Sequence, residues 1–161
     1  MGIYSLGIGC IIITSVIAYL FFSVKRKNTK MHRIYGAMII TALTHLLAEQ
    51  GALYTLTHVD TVPAWITRGI HQIFLLLFLV LFCEVYLYIP AMIADETKEP
   101  IKKSNWILFP FALSTVGVLV LPIYYKHEEA ASYSYGPGII AVYISVYILA
   151  ITAVTYMIRF R

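Results

Sequence analysis

The chain has 161 residues, 60% of them hydrophobic and 12% charged, with a formal net charge of +4 and a mean hydropathy of +0.81. A water-soluble domain of this length cannot hide so much apolar side chain, which excludes an ordinary soluble fold. The positive balance does not point to nucleic acid: the basic residues cluster beside apolar segments, and no aromatic and basic stripe lies along a polar helix.

A helix needs roughly 20 apolar residues to cross about 30 Å of hydrocarbon, and five stretches reach that length: 3–24, 34–57, 64–91, 105–124 and 138–158. No linker rich in Ser, Gly or Pro divides them, so residues 1–161 are expected to form a single transmembrane domain. The expected fold is all-α, an integral membrane bundle of five transmembrane helices. Cys10 and Cys83 lie within apolar runs and read as small buried hydrophobes. Cys10 follows Leu6-Gly7-Ile8-Gly9, a faint likeness to a lipoprotein cleavage site. No positive residue precedes that stretch, so the first segment is expected to stay in the membrane.

Lys and Arg in short connections stay on the cytoplasmic side. The first connection holds Lys25, Arg26, Lys27, Lys30 and Arg33, and the third holds Lys98, Lys102 and Lys103. The second, His58 to Pro63, has no Lys or Arg, and the fourth, around Tyr124 to Pro137, has only Lys126. This alternation places the N-terminus outside and the C-terminus inside, in agreement with Arg159 and Arg161 after the fifth span.

Interfacial side chains fit the same boundaries. Trp65 and Trp106 open spans, and Tyr124, Tyr125, Tyr133 and Tyr135 crowd the outer fourth connection, where amphipathic rings favour the headgroup level. Pro63 and Pro137 stand where a first helical turn loses nothing by lacking an N–H. Pro110 and Pro122 lie inside or near the end of the fourth span, with Ser114 or Thr115 placed to satisfy a freed carbonyl. His32, His45, His58 and His71 recur every thirteen residues, but their surroundings do not repeat.

Ionisable residues within spans are costly and therefore carry the functional expectation. His45 and Glu49 share one face of the second span. The third carries Arg68, His71, Gln72 and Glu84, whereas the fourth and fifth hold only hydroxyls, including Ser145 and Thr152. At about 1.5 Å per residue, Glu49 and His71 both lie roughly 10–12 Å from the outer ends of neighbouring antiparallel spans, so they are expected to pair. His45 would sit one turn deeper and Arg68 one turn shallower. The cluster reads either as a polar clasp fixing helix register or as the wall of an outward-facing ligand or proton-sensing cavity. Arg68 is expected to snorkel or to pair with Asp60, and Glu84 to find a Lys or Arg of the inner loops. Tyr133-Ser134-Tyr135-Gly136-Pro137-Gly138 reads as a tight turn into the fifth span, with Tyr143 and Tyr147 extending an aromatic face that is able to line a pocket.

No enzyme motif, metal-ligand spacing or cofactor motif is present in the sequence. The basic loop after the first span, Val62-Pro63-Ala64-Trp65-Ile66, Tyr86-Leu87-Tyr88 and the Tyr-Ser-Tyr-Gly-Pro-Gly string together resemble the multi-span membrane input regions of bacterial GGDEF diguanylate cyclases or histidine kinases, often seven spans. The resemblance implies a sensory receptor domain in the bacterial cytoplasmic membrane that couples a small-molecule ligand or a membrane state to a cytoplasmic output module, in cis or trans, with a homodimer as one arrangement. The implied switch residues are His45, Glu49, His71, Tyr135, Tyr143 and Tyr147, with Arg68 and Glu84 in structural or coupling roles. On this reading the chain is not itself an enzyme, takes no cofactor and has the lipid bilayer as its constant partner. Its stop at Arg161, where the fifth span emerges inside, suits a fragment or a shortened relative of a seven-span region. Two other readings are a small multi-span transporter or ligand carrier and a haem-binding redox protein. The transporter reading lacks the Trp-rich Pro-Pro motif of the translocator-protein family.

Overall fold

A computed structural model describes residues 3–25, 29–98, 108–127 and 132–159. Among these, five helices and one hairpin succeed one another: α1 (Ile3–Ser23), α2 (Lys30–Thr57), α3 (Ala64–Thr97), α4 (Leu108–Val120), β1 (Tyr124–His127), β2 (Ser132–Tyr135) and α5 (Pro137–Arg159). The expected helical architecture is present, with an antiparallel hairpin added between α4 and α5. Three of the described helices, α1 over Ser5–Ser23, α3 and α5, are long and apolar enough to cross a membrane. None of the apolar stretch of α1 is buried within the protein, and Leu6, Ile13, Val16 and Leu20 are all exposed. Such an apolar surface fits lipid rather than water.

The helix boundaries differ from the apolar stretches for local reasons. α2 starts four residues before residue 34 because Thr29 caps it: the Thr29 hydroxyl accepts from the backbone N–H of His32 at 3.3 Å. α3 overruns residue 91 and ends at Lys98, which takes the left-handed conformation at φ 62°. Pro90 lies inside α3 and removes one helical N–H, but Ile89 and Ile93 pack with Ala153, Val85 and Tyr156 and hold the helix together past it. α4 stops at Val120 rather than 124, because Pro122 cannot continue the ladder and Tyr124 and Tyr125 enter β1. Residues 105–107 of the expected fourth span, with Trp106, Arg26, Lys27, Lys102, Lys103 and Arg161, lie outside the described residues.

α2 lies between α1 and α3, and α3 in turn packs on α4 and α5. The buried stripe of α3 begins Thr67, His71, Leu75 and Leu79, one residue per turn. Leu75 and Leu79 meet Val118 of α4 and Ile139, Val142 and Val146 of α5 in the main core. Hydroxyls join α4 to α5: Ser114 donates to the Ala141 carbonyl at 2.7 Å, Ser145 donates to the Pro110 carbonyl at 3.0 Å, and the two hydroxyls also touch each other. α1 meets α2 through close approaches at small residues, with Gly7 against Gln50 and Gly36 against Phe21.

The prolines of α4 are served differently from the expectation. Ser114 reaches across to α5, and Thr115 donates to Phe111 within its own helix. The carbonyl that Pro122 deprives of a partner is that of Val118, four residues back. Gln72 of α3 supplies the missing donor, bonding Val118 O at 3.0 Å and Leu119 O at 3.2 Å. A polar residue of the long apolar helix α3 thus caps the end of α4.

Cys10 is exposed rather than buried, and Cys83 is half-buried. Gly136 sits at φ +125°, and a Cβ there would lie 2.9 Å from the Pro122 carbonyl oxygen. Only glycine fits this corner. Its carbonyl accepts from the N–H groups of Ile139 and Ile140, so the string Tyr135-Gly136-Pro137 does form the entry to α5.

Candidate functional site

The hairpin closes one end of the bundle, where it touches α2 and α5. Its register pairs Tyr124 with Tyr135, Tyr125 with Ser134 and Lys126 with Tyr133. Because strand side chains alternate between faces, Tyr124, Lys126, Tyr133 and Tyr135 form the exposed face and Tyr125 points into the protein. Its ring packs edge-on against the imidazole of His71, with centroids 4.8 Å apart. His71 is 3% exposed. Its Nδ1 donates to the Thr67 carbonyl at 2.9 Å, which in the neutral ring leaves Nε2 as an acceptor. The Tyr125 hydroxyl and the Thr67 hydroxyl are both buried without a hydrogen-bond partner. Burial raises the Tyr125 phenol above its ordinary range, and the positive charge of Arg68 opposes that rise.

This arrangement replaces the expected Glu49–His71 pair. Among the described residues no ion pair joins them: His71 belongs to the stripe of α3 that faces Tyr125 and α5, whereas α2 packs on a different side of α3. Rise per residue fixes depth along a helix but not rotation about its axis, and rotation turns His71 away from Glu49. Glu49 instead lies one turn from His45 on α2, close enough to interact with it electrostatically. The His45 ring stacks on Phe74 at 4.9 Å and Phe78 at 5.5 Å, and its Nε2 is buried without a partner. His45 and His71 are therefore each covered by their own aromatic neighbours, which is not the facing pair that a bis-histidine haem needs.

Arg68 is exposed, and among the described residues no ion pair joins it to Asp60. Glu84 accepts from the Thr41 hydroxyl of α2 at 3.0 Å through Oε1, while Oε2 is buried and unpartnered. Among the described residues its partner is thus Thr41, not a loop cation. Tyr135, Tyr143 and Tyr147 are exposed by 47%, 55% and 68%. They do not line an interior pocket: Tyr135 stacks with Tyr124 and Tyr133 on the outer hairpin face, and Tyr143 and Tyr147 point away from the core.

A cavity of about 350 Å³ lies at the opposite end, between α1, α2 and α3. Leu20 and Phe21 of α1, Met31, His32 and Tyr35 of α2, and Tyr88 of α3 line it. Sequence reasoning missed this cleft. The signal available was aromatic clustering at the ends of three apolar segments, visible only once their pairing is known.

No family model matches the chain, and neither a curated protein nor a solved structure matches it.

Proposed function

We propose that the chain is the membrane-embedded sensory input region of a bacterial signalling receptor, acting on a cytoplasmic output module in cis or trans. On this reading all five helices cross the cytoplasmic membrane. The N-terminus lies outside, the hairpin caps the outer end, and the basic α1–α2 connection and the end of α5 lie inside. The alternation of Lys and Arg between connections supports this orientation.

The observation that carries the reading is the wedge of Tyr125 on His71. The strand that pairs with Tyr125 runs directly through Gly136 into α5, so a displacement at the outer cap is passed to the helix whose far end carries Arg159. The unpartnered Tyr125 and Thr67 hydroxyls give a ligand two hydrogen-bonding groups that the closed state leaves unused. A ligand that prefers the open cap would shift the bundle between two packings by its differential affinity.

The test joins the full chain to the catalytic domain of a diguanylate cyclase and measures the cyclic dinucleotide formed in cells. Tyr125→Ala removes an aromatic pair that contributes about 1 kcal/mol, enough for roughly a fivefold shift in output. Output equal to that of the unaltered chain, at equal membrane abundance, overturns the reading.

A further inference from the structure

We infer that the cleft between α1, α2 and α3 holds one anionic phospholipid, with an acyl chain against Leu20, Phe21 and Tyr88 and its phosphate facing Lys30 and Arg33. The inference rests on the reading above for its placement at the inner membrane face. At about 350 Å³ the cavity has room for a lipid segment or a small ligand. Its wall carries no charged residue and is mostly aromatic: Phe21 packs on Tyr35 at 5.1 Å, Tyr35 on Tyr88 at 5.8 Å, and the His32 ring lies nearly parallel to Phe21. Such a wall favours hydrocarbon over water.

The rim has the opposite character. Met31 and His32, which line the cleft, stand between Lys30 and Arg33 in the first turn of α2, and Lys25 lies two residues past the end of α1. Lys25, Lys30 and Arg33 are exposed and make no ion pair among the described residues. The Thr29 hydroxyl accepts from the His32 N–H and sits 2.7 Å from His32 Nδ1. That contact fixes the His32 ring by its Nδ1 edge against the cleft that it lines. Among the described acids of α3, Glu84 lies one turn before Tyr88 and accepts from the Thr41 hydroxyl of α2, while Asp95 and Glu96 lie two turns beyond Tyr88. An apolar cleft with a cationic rim selects a molecule with a tail and a negative head. A neutral lipid would leave the rim unused, and free phosphate would leave the cleft unused.

The full chain in phosphatidylcholine nanodiscs, titrated with phosphatidylglycerol and read by native mass spectrometry, tests the assignment. One retained phosphatidylglycerol per chain is expected. Its affinity should fall roughly tenfold or more in Lys30→Gln/Arg33→Gln, given the strength of basic residues near anionic headgroups. It should fall likewise in Met31→Trp, which fills the cleft without altering charge, while Lys30→Arg keeps it; circular dichroism confirms that each variant is helical. Equal retention of phosphatidylcholine overturns the proposal, as does displacement by millimolar inorganic phosphate. Loss in the charge variant but not in Met31→Trp also overturns it, because the lipid is then held at the surface alone. Cysteine labelling of the α1–α2 connection reports orientation separately, so a failure of the topology is distinguishable from a failure of lipid binding.

Discussion

Gln72→Leu removes a donor that serves two carbonyls while keeping the size of the side chain. The bond to Val118 O at 3.0 Å replaces the helical N–H that Pro122 lacks, and the longer bond to Leu119 O at 3.2 Å is the weaker of the two. Interhelical hydrogen bonds in membranes contribute about 0.6 kcal/mol on average and up to about 1.7, so the loss should be about 1–2 kcal/mol. The structure further dictates that this cost depends on Pro122. In Pro122→Ala the new backbone N–H is able to reach Val118 O, so Gln72→Leu should then cost at most about half as much. Reversible unfolding in bicelles, run as a double-mutant cycle, measures the coupling directly. An equal cost in both backgrounds would refute the view that Gln72 stands in for the missing proline N–H.

Other perturbations test separate contacts. Gly136→Ala forces a side chain into φ +125° and against the Pro122 carbonyl, and should destabilise the bundle by about 1–3 kcal/mol in the same unfolding assay. Ser145→Ala removes the interhelical donor to the Pro110 carbonyl and one of the two partners of the Ser114 hydroxyl; a loss of about 1 kcal/mol is expected, read as earlier thermal separation of α4 from α5 by cysteine accessibility. Because burial raises the Tyr125 phenol above its unfolded value, the folded state favours the neutral ring. Its contribution is fully present below the ordinary tyrosine value and is lost as pH rises through the raised one. Ultraviolet titration of Tyr125→Phe should therefore lose one phenol from the part of the curve above the ordinary tyrosine range, and the hairpin should loosen over that alkaline window.

Apolar run length was enough to find every described helix, because a stretch that must meet lipid has to be apolar over its whole length. It did not find the ends of α2 and α3, which are set by Thr29 and by the packing of Ile93 beyond Pro90. The hairpin was hidden because Tyr-rich segments suit both an interfacial loop and a short strand, and only pairing decides between them. Site residues were legible by type and not by partner. His45, Glu49, His71 and Glu84 do occupy the bundle, but helix rotation sends His71 to Tyr125, His45 to Phe74 and Glu84 to Thr41. The aromatic string at Tyr135, Tyr143 and Tyr147 kept its sequence proximity yet faces outward, since the core side of α5 is taken by Ile139, Val142 and Val146.

The central claim is that the hairpin cap controls the far ends of α3 and α5. Spin labels at Asp95 and Met157, both exposed, in a background with the free Cys10 and Cys83 replaced by Ser, report the distance between those ends in nanodiscs. Release of the cap by Tyr125→Ala should move the distance distribution by roughly 2 Å or more, the scale of helix shifts in switching bundles. An unchanged distribution, with Tyr125 absent and the bundle still folded, would contradict the account.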